Sequence, residues 1–381
     1  MRIGRGVGGV VAVGALLAAA CSDSSSRQVV FVTAPTEAEQ VPAVLADWWA
    51  NATAGQWRSL GHDQIEVWVC HVPDGATDPI YGGLPLRLPL TPADVVATIT
   101  EPVSAYFATV SNGQYRPEFV VGGEYEMAVD DAPQACIDAA LDAAADDTRA
   151  VLAVADAEHG ADQVGGFAIG GDPCAGTPPC SARDSRRFAY VGASDFHPDW
   201  GDAPPMDLVE HELGHTFGWQ HSAVTADLVY ESAIDVMSNS AGPRVLEPTR
   251  RDAADTIALN KLMAGWLPLA DVWVAPFDVA DVRLAPASGS TGTRLAVLPT
   301  TDGFLTVELL TADGFDDHLP ADGIAVHRVS LQGGLITEIT PVFGAPPYTS
   351  LLQPGDSIEA DEWAIAVGDG WTITVVPAQT G

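Results

Sequence analysis

The stretch His211-Glu212-Leu213-Gly214-His215-Thr216-Phe217-Gly218-Trp219-Gln220-His221 constrains this chain more than any other. It reads H-E-x-x-H-x-x-G-x-x-H. His211 and His215 stand four apart, so on a helix they project from nearly one face and two imidazoles can reach one metal ion. Glu212 is rotated about 100° from His211, beside the ion rather than on it, where a base is useful. Val209, Leu213 and Phe217 follow at i, i+4, i+8, so another side of the helix is apolar and can pack. On a continuous helix, His221 would lie ~15 Å along the axis from His211, too far to share its ion. The chain must turn first, and Gly218 is placed for that turn, because glycine accepts the positive φ of a helix C-terminus. Three neutral imidazoles with one open position is the layout of a catalytic zinc rather than a closed structural one.

Sixteen residues past His221 stands Met237, in Ile234-Asp235-Val236-Met237-Ser238. Together the histidine motif and this methionine resemble the metzincin zinc endopeptidases, which carry a methionine turn beneath the metal. Asp-Val-Met after a short loop resembles the secreted bacterial members of immune-inhibitor-A-like and gametolysin-like kind. Leu259-Asn260-Lys261-Leu262-Met263-Ala264-Gly265-Trp266-Leu267 is similar to the helix that follows the turn in those proteins, and Ser222 after the third histidine is also seen in matrixins. The specific resemblance covers about 205–267. It implies His211, His215 and His221 as zinc ligands, Glu212 as the catalytic residue and Met237 as the floor of the site. Astacin-like and serralysin-like members place a tyrosine two residues after the methionine. Here Asn239 stands there, so no tyrosine is assigned to oxyanion stabilisation.

The 381 residues, 47% apolar, suffice for a large domain and a smaller one. A net charge of −34, with Lys261 the single lysine among 17 basic residues, argues against nucleic acid as a partner. Such acidity suits solubility and bound calcium, but coding bias is the stronger explanation. The N-terminus reads as a targeting segment: Arg2 and Arg5 precede an apolar run, Gly6 to Ala20, too short for a membrane span. Ala18-x-Ala20 fits an ordinary signal-peptidase site. Alternatively, Cys21 with the Ser-rich tether behind it resembles a bacterial lipoprotein signal. Cysteine arithmetic favours the second: of five cysteines, lipidating Cys21 leaves Cys70, Cys136, Cys174 and Cys180, an even set for an exported protein. Cys174 with Cys180, and Cys70 with Cys136, are the expected disulfides. A cell-surface lipoprotein is the favoured location, with secretion as the alternative.

The expected order is a signal peptide (1–20), a lipidated cysteine and tether (21–27), a zinc protease domain (28–268) and a smaller all-β sandwich domain (269–381). The first domain is expected to be of α/β (α+β), metzincin-like class, with a mixed twisted sheet and the zinc helix. Strands are read at 28–34, 65–69, 119–127, 150–155, 167–169 and 188–191, the 167–169 strand bordering the cleft. Helices are read from Thr91-Pro92 to Val110, over 135–145, from about Pro205 through the motif, and from Pro248 to Trp266. Beyond Pro268, short alternating stretches at 272–279, 293–298, 304–310, 323–329, 363–367 and 371–376, spaced by Gly, Pro and Asp, form the sandwich signature.

Other candidates read as structural. His71 with a cysteine lacks C-x-x-C spacing. Asp195 and His197 could bind a second ion or line the cleft, though a surface loop is the stronger reading. His62, His159, His318 and His327 lack ligand spacing. Asp316, Asp317 and Asp322 lack an EF-hand pattern, so a solvated turn outweighs calcium. The expected activity is zinc-dependent endopeptidase, the ion polarising the scissile carbonyl and acidifying water, and Glu212 moving the proton to the leaving amine. An extended protein or peptide substrate would add to the 167–169 strand. The other reading is a silent surface binding protein, against which an intact Glu212 argues.

Overall fold

The computed structural model describes residues 41–54, 57–74, 87–157, 166–171, 180–201, 204–225 and 230–378. The 28–34 strand, the targeting segment with Cys21, His159 and Cys174 lie outside them. The described residues belong to one compact unit of mixed α/β type.

The first sheet has the order β2-β1-β3-β5-β4. Its strands are β1 (Gln64–His71), β2 (Glu118–Glu126), β3 (Thr148–Ala155), β4 (Gly166–Ile169) and β5 (Phe188–Val191). The first three and β5 run parallel, whereas β4 pairs antiparallel with β5 and forms the edge. Thr148–Ala155 is buried along its whole length, which is why its 150–155 part reads as an unbroken apolar run. Alternation sends Leu152 and Val154 to one face and Val151, Ala153 and Ala155 to the other.

The first face is covered by α2 (Pro92–Val110) and α5 (Asp207–Thr216), through Val95, Ile99, Val103, Val209 and Leu213. The second is covered by α3 (Pro133–Ala143), through Ile137, Ala140 and Leu141. The start of α2 is set as its sequence dictates: the Thr91 side chain accepts the Asp94 N–H, and proline occupies the first turn. On the α3 side Cys70 and Cys136 are disulfide-bonded, with Cα atoms 5.9 Å apart. His71 is engaged by Asp156 at 3.1 Å, so with Cys70 oxidised the Cys–His metal site considered for this pair is excluded. Cys180, just ahead of α4 (Ala182–Ser185), is also disulfide-bonded.

After α6 (Gly242–Leu246) comes α7, and here the structure departs from expectation. The helix read from Pro248 to Trp266 is only Ala258–Met263. Residues 251–257 are held out of the helix because distant groups take their backbone atoms: Met206 N–H donates to Arg251 O, Ala253 N–H to the Glu210 carboxyl, and Tyr106 OH to Ala254 O. Tertiary bonds replace the helical ladder there, and no local pattern announces them.

From β6 (Val272–Val274) onward the chain forms two further sheets. One has the order β11-β10-β9-β8-β6, from β8 (Leu295–Thr300), β9 (Gly303–Leu310), β10 (Gly323–Gln332) and β11 (Leu335–Pro341). The other has the order β12-β13-β14-β7, from β7 (Ala280–Arg283), β12 (Ser357–Ala360), β13 (Trp363–Val367) and β14 (Thr372–Pro377). Strand pairing is antiparallel except between β6 and β8. The strand expected over 272–279 breaks after Val274, and β7, β11 and β12 were not anticipated.

The two sheets share a core that includes Leu298, Leu305, Val307, Ile365 and Val375. The opposite face of the first of them packs on α1 (Ala46–Thr53) and on Ile257, Leu259 and Leu262. Trp48 lies 4.3 Å from the Phe304 ring, centroid to centroid. Gly303–Leu310 is therefore buried on both faces and carries Glu308 into the interior beside α7.

Candidate metal centre

The apolar stripe of α5, Val209, Leu213 and Phe217, is buried in the core as its spacing predicts. The opposite side carries His211, Glu212 and His215. The helix ends at Thr216, and Gly218 then adopts φ +76°, its N–H donating to the His215 carbonyl at 2.9 Å. That reversal returns His221 to the helix. Its ring centroid lies 4.5 Å from that of His215 and 5.2 Å from that of His211.

The three imidazoles offer ligand atoms that all lie within 4.8 Å of one another, the one such group among the described residues. His215 Nε2 and His221 Nε2 are 2.9 Å apart. Two nitrogens on one tetrahedral zinc would stand roughly 3.3 Å apart, so a small adjustment accommodates the ion. His211 Nδ1 meets the Val236 carbonyl at 2.6 Å and His215 Nδ1 the Trp219 carbonyl at 2.8 Å. A carbonyl only accepts, so each Nδ1 carries the proton and each Nε2 keeps the lone pair. Burial lowers the basicity of all three: His221 falls to about 4, with His215 adding to the effect, and His211 falls well below its usual value. The rings are neutral at pH 7, as metal ligands must be.

Glu212 is buried, and that burial pushes its carboxyl up to about 8. Its Oε2 has no hydrogen-bond partner among the described residues. An adjacent cation is what such a carboxyl needs to ionise at neutral pH. The donor set and the orphaned carboxyl therefore both fit a bound divalent ion.

Two glycines make this geometry accessible. A Cβ on Gly214 would meet Met237 Sδ at 2.5 Å and the Trp219 ring at 2.7 Å, so the methionine sits directly against the helix between the two ligands. A Cβ on Gly166 would meet Glu212 Oε1 at 2.6 Å, so β4 can lie against the carboxyl. Neither role follows from the motif alone. Met237 is fully buried, and its carbonyl accepts the Ser222 N–H at 3.0 Å. Asp235 ties the turn together, accepting from Ser222 Oγ at 2.6 Å and Thr256 Oγ1 at 3.0 Å.

Two cavities flank the triad. One, about 400 Å³, runs along Gly166–Gly170 of the edge strand to Glu212, His215 and His221. The other, about 500 Å³, lies past His211 among Trp200, Leu208, Asn239 and Arg244. Arg244 donates to Asp207 at 2.8 and 3.2 Å and lies 5.0 Å over the Trp200 ring.

Asp195 also lines this second cavity. With His197 it was expected on a surface loop; both are buried, because the helical turns at Ser194–Phe196 and Pro198–Trp200 pack inward, with Trp200 Nε1 donating to Ser194 O. Asp316, expected in a solvated turn, is likewise buried and accepts the Asp255 N–H. Asp317 is paired with Arg250, and Asp322 accepts the Ala312 N–H.

Sequence reasoning missed Tyr230. Asn239, two residues past Met237, lines the second cavity. The Tyr230 hydroxyl stands 3.3 Å from His221 Nε2, and the residue borders both cavities. Burial, and then the charge of Glu212, push its phenol upward, so it remains a donor at neutral pH. It lies nine residues past His221, a spacing attached to no motif, so nothing in the sequence pointed to it.

The site thus brings together three histidines that could hold a metal ion, with a buried carboxyl beside them, between an edge strand and the turn that carries Met237. No family model and no curated protein matches the chain. Among solved structures it is similar to archaemetzincin from Methanopyrus kandleri, at 18% identity over 53% of this chain and 95% of that one, with a TM-score of 0.31. So distant a likeness carries no argument, and the functional reading rests on the residues of the site.

Proposed function

We propose that this chain is a zinc-dependent endopeptidase of metzincin type acting on protein or peptide substrates. The observation that carries the reading is the convergence of three neutral imidazoles beside the Glu212 carboxyl, with Glu212, His215 and His221 lining an open groove bordered by an edge strand. When bound, zinc supplies a Lewis acid for the scissile carbonyl and makes water a competent nucleophile at neutral pH. Glu212 takes the proton of the attacking water and delivers it to the leaving amine. Tyr230 donates toward the carbonyl oxygen as charge develops there.

The β4 backbone receives an extended substrate by strand addition, since β4 pairs only with β5 among the described strands. Export, with Cys21 lipidated at the cell surface, belongs to the same proposal and rests on the sequence of the N-terminal segment. Digestion of casein or gelatin, abolished by a chelator and restored by zinc, tests the activity. Stoichiometric zinc with no hydrolysis of any protein substrate would instead indicate the silent binding protein.

A further inference from the structure

Described residues between the third histidine and α7 are held from outside by the C-terminal sheets and their loops. Two residues past His221, the Ala223 N–H donates to the Ile339 carbonyl of β11 at 2.8 Å, where the chain turns at φ +53°. Ala233 is fixed from both sides. Its N–H donates to the Pro347 carbonyl at 2.9 Å, and its carbonyl accepts from His318 Nε2 at 2.8 Å. The Asp255 N–H donates to Asp316 Oδ1 at 3.1 Å, and the Ala258 N–H, opening α7, donates to Glu308 Oε2 at 2.7 Å.

On its inner side the same segment meets the site. The Asp255 carbonyl accepts the Val236 N–H at 3.2 Å, and the Val236 carbonyl orients the His211 ring. Thr256 Oγ1 reaches Asp235, which in turn holds Ser222, the neighbour of His221. The outer bonds at Asp255 and Ala258 thus reach a ligand or its neighbour through two hydrogen bonds, while Ala223 and Ala233 stand two residues along the chain from His221 and from Asp235.

We propose that the C-terminal sheets and the loops between them are a positioning device for the metal ligands. Glu308, Asp316 and His318, with the Ile339 and Pro347 carbonyls, hold the chain between His221 and α7 in the course that aims His211 and His221 at one ion. Ordering this segment beforehand removes its entropy cost from metal binding, so affinity rises without any new ligand. The inference rests on the metal-binding reading of the triad and is independent of peptidase activity.

A merely structural role would lower stability with and without metal alike and leave zinc affinity unchanged. A positioning role weakens zinc itself, and therefore narrows the rise in melting temperature that zinc produces. The test uses the full chain. Zinc affinity is measured by competition with a chromophoric chelator, and melting is followed in EDTA and in zinc, for Glu308→Leu, Glu308→Gln and His318→Ala.

Glu308→Leu removes the acceptor, and zinc affinity should fall tenfold or more, as outer partners of metal sites do. Glu308→Gln keeps an acceptor and should stay near wild type. His318→Ala, at a half-buried position, should also weaken zinc, and it decides the matter alone should Glu308→Leu not fold. Wild-type affinity in whichever of His318→Ala and Glu308→Leu folds, with melting lowered equally in EDTA and zinc, overturns the proposal. Wild-type protein that binds no zinc overturns the metal reading and the proposal with it.

Discussion

Burial alone holds the Glu212 carboxyl at about 8, while the three imidazoles beside it are held neutral. At the level of single residues, the proposed division of labour is that the histidines hold the ion and Glu212 moves protons. Glu212→Ala should retain near-stoichiometric zinc while proteolysis falls about 100- to 10,000-fold. His215→Ala should lose zinc and activity together, because two imidazoles make a poor site. Zinc content measured beside turnover separates the two, and Glu212→Ala cleaving protein at the wild-type rate would sink the mechanism. Tyr230→Phe removes only the hydroxyl that stands 3.3 Å from His221 Nε2. Its zinc content should be unchanged and kcat should drop on the order of 100-fold with little change in KM, as for a lost oxyanion donor. An unchanged kcat would remove Tyr230 from the chemistry.

Among elements, the turn after α5 decides whether the third histidine reaches the other two. Gly218 has φ +76°, and a Cβ there would come within 2.4 Å of the Trp57 ring. The φ alone costs an L-residue about 1–2 kcal/mol, and the indole adds a clash that backbone movement must relieve. Gly218→Ala should keep its far-UV circular dichroism while zinc binding is lost or strongly weakened, because α5 ends before the turn and His221 lies after it. Zinc binding as tight as wild type would show that the turn tolerates a side chain. The shortening of α7 teaches the same lesson in reverse. Residues 251–257 carry a helix-compatible sequence, yet Glu210, Tyr106 and Met206 take their backbone groups.

Across the whole molecule, acidity is both a surface and an interior property. Glu308 is fully buried on β9, facing Lys261, Asp235 and Asp255 around α7 and His327 from β10, and its carboxyl is pushed up to about 8 by burial. A folded-state pKa above the unfolded 4.5 means that its stability contribution is complete below pH 4.5 and is lost as pH rises through 8. Between pH 6.5 and 8.5 the unfolding free energy should therefore fall with pH by up to about 1 kcal/mol per unit from this group. Glu308→Gln should flatten that part of the slope in urea titrations, and an identical slope would contradict the assignment. His327, held at about 4, titrates below this window. At the other end of the chain, Cys21→Ser should release the protein from membranes to the medium. Wild-type protein found soluble with Cys21 a free thiol would remove the lipid anchor from the proposal.

By itself the sequence determined whatever depends on neighbours along the chain. The 3.6-residue period put His211 and His215 on one face, Gly218 marked the turn, Thr91-Pro92 opened α2, and the unbroken apolar run of β3 announced a strand covered on both faces. Only the tertiary structure decided what depends on groups far apart in the chain. It brought Tyr230 to the triad, set β4 against Glu212 across Gly166, turned Asp195 and His197 inward, cut α7 to six residues, and placed Glu308 at that helix's first turn. The last two outcomes share one cause. A backbone or side-chain polar group buried by folding must find a partner, and which partner is within reach is fixed by how the sheets pack, not by the residues on either side.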